Sequence, residues 1–130
     1  MDVDRFKRFN DEFGHDAGDA VLRAVGELLG HSTRENDHAF RVGGEEFIVL
    51  LPKLQSEDAA RRAEELRARV GALRVEHNGR FLGPITASFG VATSPGDCAF
   101  NSLINTADTA LLRAKESGRN RVVIAAAGAG

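Results

Sequence analysis

A single cysteine, Cys98, leaves the chain without an internal disulfide and suits a reducing compartment. No hydrophobic run approaches the length of a membrane span, and the first residues do not read as a secretory leader, so a cytoplasmic location is expected. Basic charge is not in excess: 17 Lys and Arg face 19 Asp and Glu, for a net charge of −2. Proteins that track nucleic-acid phosphates carry basic stripes, so no nucleic-acid partner is expected. An anionic ligand would have to be held by a local basic cluster. Repeats are lacking too, and low complexity is confined to Ala125 to Gly130, which reads as a disordered tail. What remains is one domain of 130 residues whose 42% hydrophobic content suffices for a modest core.

Residues 16–29 place Val21, Ala24, Val25 and Leu28 on one helical face, with Gly30 expected to end the helix. Ser56 can cap a helix that has Glu57 and Asp58 in its first turn and an apolar stripe of Ala60, Ala63, Leu66, Val70 and Leu73. His77-Asn78-Gly79 signals a turn, and Ile85 to Ala92 reads as a strand. Asn101 can cap a last helix burying Leu103, Ile104, Ala107, Leu111 and Ala114, ahead of a short strand over Arg121 to Ile124.

Gly43-Gly44-Glu45-Glu46-Phe47 joins two strand-like runs, 39–42 and 48–51. Two glycines there specify a tight hairpin, because only glycine takes positive φ cheaply, and they leave bare backbone for a ligand to approach. Acids just past such a turn lie at a sheet rim, where they can hold a divalent metal or simply be solvated. The order βαββαββαβ predicts an α+β fold with a mainly antiparallel central sheet flanked by helices.

Asp2 and Asp4 stand two apart, so on a strand they share a face. A calcium loop is excluded, because Lys7 and Phe13 stand where it needs its glycine and its bidentate glutamate. The opening Asp2-Val3-Asp4-Arg5-Phe6-Lys7-Arg8-Phe9-Asn10-Asp11 runs on to Phe13-Gly14-His15 and Gly18-Asp19. With the GGEEF hairpin, the segment Thr86 to Ala92 and the close Ala114-Lys115-Glu116-Ser117-Gly118-Arg119-Asn120-Arg121-Val122, it resembles the GGDEF family of diguanylate cyclases. The resemblance covers essentially residues 2–124. It implies a nucleotidyl-cyclase, palm-like domain over 1–124 with a ferredoxin-like core. It also implies a helix and most of a central first strand before Asp2, where this sequence has only Met1. Neighbours of so short a strand are expected to lose backbone partners, at about 1–3 kcal/mol per buried group.

In the family the first Asp and the first hairpin acid hold two Mg2+ ions, Mn2+ being the alternative, together with a backbone carbonyl. The implied ligands are Asp2, Val3 and Glu45. Mg2+ needs few carboxylates when phosphate oxygens complete its shell. Asp4 is expected to N-cap the helix beginning near Arg5, with metal binding as its other reading. Free N–H groups of Arg5, Phe6 and Lys7 at that helix start can bind phosphates. The resemblance places Lys115 and Arg119 on the triphosphate, with Arg41, Gly43 and Gly44 beside it, although cations at a helix C-terminus are also ordinary. It makes Asn10 and Asp19 the guanine contacts. A carboxylate accepts from guanine N1–H and N2–H2 together, which selects GTP over ATP.

The implied reaction condenses two GTP to cyclic di-GMP and pyrophosphate across an antiparallel homodimer, Glu45 assisting deprotonation of a ribose 3′-OH. An upstream sensor domain is implied as well, with this domain as the cytosolic part of a larger, membrane-tethered protein as one arrangement. Arg34 and Asp37, five residues ahead of Gly43, match the family's RxxD inhibitory site for cyclic di-GMP. There a guanidinium can stack on guanine while a carboxylate takes its donors. A surface ion pair is the bland alternative. The rival function is a catalytically impaired receptor for cyclic di-GMP or GTP.

Overall fold

A computed structural model describes residues 1–125. The expected tail falls on 126–130, outside the described residues, except for Ala125. That residue is buried and donates its N–H to the Val91 carbonyl at 2.8 Å, so it belongs to the sheet margin and not to a tail.

Asp2–Val3 (β1) leads into Phe6–Phe13 (α1) and His15–Ser32 (α2), then the hairpin strands His38–Gly43 (β2) and Glu46–Leu50 (β3). Ser56–Gly71 (α3) precedes a small hairpin, Glu76–His77 (β4) and Arg80–Phe81 (β5). Ala87–Val91 (β6), Leu103–Glu116 (α4) and Val122–Ile124 (β7) follow. Five strands form one sheet in the order β2-β3-β1-β6-β7. Every pairing is antiparallel except β6 with β7, which α4 joins as a parallel crossover. The α+β class with a mainly antiparallel sheet is the one observed.

Alternation along β6 assigns the faces. Ala87 and Phe89 join the main core with Val21 and Val25 of α2 and Leu66 and Val70 of α3. Ser88 and Gly90 therefore point the other way, toward α4. That helix comes so close that a Cβ on Gly90 would stand 2.2 Å from the Ala107 carbonyl oxygen and 2.3 Å from the Leu111 nitrogen. Register carries the split onto β1: Val3 lies opposite Ala87 in the core layer, and Asp2 opposite Ser88 on the α4 side. Beyond the short β1, a cavity of about 510 Å3 opens between β3 and β6, lined by Met1, Phe47, Val49, Phe89, Val91 and Leu111 among others. Among the described residues no helix is long and apolar enough to cross a membrane.

Helix ends depart from expectation where the helix carried on or began beside its anticipated cap. Gly30 does not stop α2, which runs to Ser32. An interior glycine costs only about 1 kcal/mol, and the buried Leu29 holds this turn against the core. The stop comes at Thr33, extended at φ −97° and ψ 150°, whose hydroxyl donates to the Gly30 carbonyl. Ser56 is not a cap but the first helical residue, the Gln55 carbonyl accepting the first α3 hydrogen bond from Ala59. Asn101 lies within a 3-10 turn, Phe100–Ser102, and α4 starts at Leu103. Ile104 was expected in the core but is 56% exposed, because the stripe that α4 buries consists of Thr106, Ala110, Leu111 and Ala114.

Candidate active site

The sheet's middle strand delivers Asp2 to the space beneath α4. Its side chain is 5% exposed, and the Lys115 ammonium from the last turn of α4 pairs with Oδ2. Oδ1 is buried and has no hydrogen-bond partner among the described residues. Burial raises the Asp2 carboxyl above its ordinary 3.8, with Glu45 and Glu46 pushing the same way and Lys115 opposing. The hairpin is stitched to β1 by Val3 N–H donating to the Glu45 carbonyl at 3.1 Å and Phe47 N–H donating to the Met1 carbonyl at 2.9 Å. Of the two turn glycines only Gly44 takes positive φ, at 52°. Gly43 stays in β2, opposite Glu46 after a register shift that follows Arg41. Arg41 turns back on the hairpin, its Nε donating to the Gly44 carbonyl at 2.7 Å.

Among the described residues no three His, Cys, Asp or Glu side chains converge as metal donors. The site fits an ion that asks less of the protein. Asp2 offers a buried oxygen with no partner, and the half-buried Glu45 lies close enough to perturb it. Two carboxylates, with water and phosphate completing the shell, suit Mg2+.

Asp4 is not the N-cap that was expected. Arg5 occupies the cap position at φ 54° and ψ 35°, and no side chain caps α1. Asp4 shares the face of Asp2 and reaches the polar side of β6 instead. Its Oδ2 accepts from the Thr86 hydroxyl at 2.7 Å and the Asn120 N–H at 3.0 Å, and its Oδ1 accepts from the Ser88 hydroxyl at 2.6 Å. The first turn of α1, Phe6 and Lys7 with Arg5 before it, keeps its N–H groups free of any side-chain cap. Arg119 and Asn120 both take left-handed backbone, at φ 63° and 48°. Among the described residues the Arg119 guanidinium has no hydrogen-bond or ion-pair partner, whereas Lys115 is engaged by Asp2.

Asn10 packs flat over α2. A Cβ at Gly18 would stand 1.8 Å from Asn10 Oδ1, an oxygen that is buried and without a partner among the described residues. The adjacent Asp19 is exposed at the rim of a cleft of about 460 Å3 between α2 and β2, with Arg23 and Arg41 also lining it. Asn10 does not line that cleft, so the two implied guanine contacts, Asn10 on α1 and Asp19 on α2, do not share it.

Arg34 and Asp37 do not form a side-chain pair. The Arg34 backbone N–H donates to Asp37 Oδ2 at 2.8 Å, and the Asp37 N–H returns to the Arg34 carbonyl at 3.0 Å. The Asp37 ion pair is with Arg62 of α3, at 3.2 Å and nearly buried, while Arg34 is exposed. Burial would raise the Asp37 carboxyl, but the Arg34 N–H and the Arg62 guanidinium outweigh it and hold the carboxyl below its ordinary range. Sequence reasoning missed Arg62, although it falls on the buried face of α3 with Ala59, Ala63 and Leu66. It also missed the polar alternation of Thr86 and Ser88 that receives Asp4.

The sequence pattern of the family described as "Diguanylate cyclase, GGDEF domain" matches residues 1–121. Diguanylate cyclase DgcP of Pseudomonas aeruginosa is 42% identical over 125 residues, which are 96% of this chain and 18% of DgcP. Diguanylate cyclase DgcM of Escherichia coli K12 is also 42% identical over 125 residues, covering 96% of this chain and 30% of DgcM. The chain thus spans less than a third of either relative. The crystal structure of the GGDEF domain of DgcB from Caulobacter crescentus in complex with c-di-GMP superposes with a TM-score of 0.86 at 38% identity, covering 95% of this chain and 73% of that one. With nearly its whole length matched in sequence and in fold, the chain belongs to the GGDEF-domain family of diguanylate cyclases.

Proposed function

We propose that this domain condenses two GTP to cyclic di-GMP and pyrophosphate, each facing chain of an antiparallel homodimer holding one GTP. The observation that carries the reading is the buried, partnerless Asp2 Oδ1 beside Glu45 and Lys115 at the sheet's centre. Two Mg2+ ions, when bound by Asp2, the Val3 carbonyl and Glu45, would neutralise phosphate charge and make the ribose 3′-OH more acidic. The chain's own groups do the rest. Uncapped N–H groups at Arg5, Phe6 and Lys7, with Arg119, which has no partner among the described residues, and the bare backbone of Gly43 and Gly44, hold the triphosphate. Lys115 joins them when it leaves Asp2, and Arg41 stands by the hairpin. Asp19 accepts from guanine N1–H and N2–H2, with Asn10 as the second base contact. Glu45 takes the 3′-OH proton as the 3′ oxygen bonds to the α-phosphorus of the facing GTP and pyrophosphate departs. A second such step closes the ring.

Product feedback belongs to the same proposal. The exposed Arg34, on a turn that Asp37 and Arg62 make rigid, can stack on and hydrogen-bond a guanine of cyclic di-GMP. The domain would work in the cytoplasm under an upstream sensor. Incubating the chain with GTP and Mg2+ and assaying cyclic di-GMP by mass spectrometry tests the reaction. GTP binding without product, in a protein whose dimerisation is enforced, would refute it and leave the receptor reading.

A further inference from the structure

Three hydrogen bonds converge on the Asp4 carboxylate from two distant segments: Thr86 just before β6 with Ser88 within it, and the N–H of Asn120 between α4 and β7. The last of these is a charge-assisted bond to a backbone group, and it falls at an unusual place. Arg119 and Asn120 are consecutive non-glycine residues in left-handed conformation, which costs free energy at each. Such a turn persists only when its surroundings hold it. On the helix side Arg119 N–H donates to the Ala114 carbonyl at 2.9 Å. Beyond it Arg121 Nε donates to the Arg119 carbonyl at 3.1 Å, and Arg67 donates to Asn120 Oδ1 at 2.8 Å. Asp4 takes the Asn120 N–H, the one bond of these that ties the turn to the start of α1. The Arg119 guanidinium has no partner of its own among the described residues, so the region it can reach is set by where this turn holds its Cα.

We infer that Asp4 is a positioning residue for Arg119: it fixes the Arg119–Asn120 turn so that the guanidinium faces the phosphate-binding start of α1, the segment that Asp4 itself precedes. This rests on the reading above that Arg119 holds the triphosphate. Asp4 touches no reacting atom. Its effect is to deliver one cation, preorganised, to the phosphates.

GTP binding by equilibrium dialysis in Mg2+, with the full chain and well below the unfolding temperature of every variant, separates this from a merely structural role. Asp4→Ala is expected to weaken GTP about tenfold, the worth of one charge-assisted contact held in place. Asp4→Asn is expected to recover most of that loss, since its amide oxygen can accept from Asn120 and Thr86 while its NH2 donates to the Ser88 hydroxyl. Asp4→Ser tests the same loss if Asp4→Ala does not fold. Thr86→Val removes a partner of Asp4 but spares the Asn120 bond, so it should lower the melting temperature and leave GTP affinity within about twofold. In an Arg119→Ala background, Asp4→Ala should cause no further loss. If Arg119→Ala itself leaves GTP affinity unchanged, the triphosphate assignment falls and the inference with it. If Arg119→Ala weakens GTP but the Asp4 variants do not, or the two losses add, or Thr86→Val costs as much as Asp4→Ala, the inference alone is overturned.

Discussion

Replacing Lys115 by methionine isolates the ion pair at the centre of the site. Lys115 is 30% exposed along its side chain and Asp2 only 5%, so the substitution strands a carboxylate that water barely reaches. Removing one partner of a fully buried pair costs about 3–5 kcal/mol, less where one end is wet. Protonation sets a ceiling: neutralising a carboxyl of ordinary value 3.8 at pH 7 costs about 4 kcal/mol, from roughly 3.2 pH units at 1.36 kcal/mol each. A loss of about 2–4 kcal/mol at pH 7 follows, or roughly 7–15 °C in Tm for 130 residues. The pH dependence has a definite sign. The folded carboxyl of Asp2 lies above its unfolded value of 3.8, so its contribution is full below that value and is lost as pH rises through the folded one. Without Lys115 the folded value climbs further. The Tm gap between the two proteins should therefore be widest near neutrality and close toward pH 4. Differential scanning fluorimetry across that range reads it. Mn2+ added without nucleotide should raise the variant's Tm more than the parent's, because the ammonium no longer competes for Asp2. A gap independent of pH, or weaker Mn2+ binding by the variant, would refute the reasoning.

Glu45→Gln should abolish cyclic di-GMP formation while GTP binding falls only moderately, since base and triphosphate contacts remain; native turnover by this variant would remove Glu45 from the reaction. Asp19→Ala should cost about 1–3 kcal/mol of GTP-over-ATP discrimination in competition binding, and an unchanged preference would take Asp19 out of the base site. Arg34→Ala should weaken cyclic di-GMP binding and relieve inhibition, as titration calorimetry and product inhibition would show; unaltered values for both would sink the inhibitory-site assignment. Asp37 titrates below its unfolded value, so its stabilisation is present above that value and lost as pH falls through the folded one. Arg62→Met should destabilise the fold at pH 7 by stranding Asp37, with the deficit shrinking in acid, and equal melting temperatures at pH 7 would contradict this.

Fold class was legible because the hairpin glycines and the helical stripes each speak locally. The Val21, Val25 and Leu66, Val70 stripes lie in the core as read, and Asn78 and Gly79 make the small turn with φ 53° and 76°. Helix ends were less legible. Ser56 and Asn101 look like caps in sequence, but the choice among adjacent residues is settled by packing, which no local pattern carries. The partner of a charged residue is the hardest to read. Asp4 looked like a cap because capping is the nearest use of an aspartate before a helix. Its actual partners are 82, 84 and 116 residues away. The plain alternative for Arg34 and Asp37, a surface ion pair, does not form between their side chains: Asp37 pairs with Arg62, 25 residues on, and meets Arg34 only through its backbone N–H.

The distances along the chain that separate the site's parts bear on when it can exist during folding. Lys115 meets Asp2 across 113 residues and Asn120 meets Asp4 across 116, whereas the β2–β3 hairpin and the α1–α2 corner close locally. Loop-closure entropy makes the long contacts slow to form and the local ones fast. During synthesis at about 5–20 residues per second, the α2 and α3 layer emerges several seconds before Lys115 and Arg119 do. A nascent chain can therefore assemble much of its core while its acids still lack their cations. The Lys115–Asp2 and Asn120–Asp4 contacts are among the last that this domain can close.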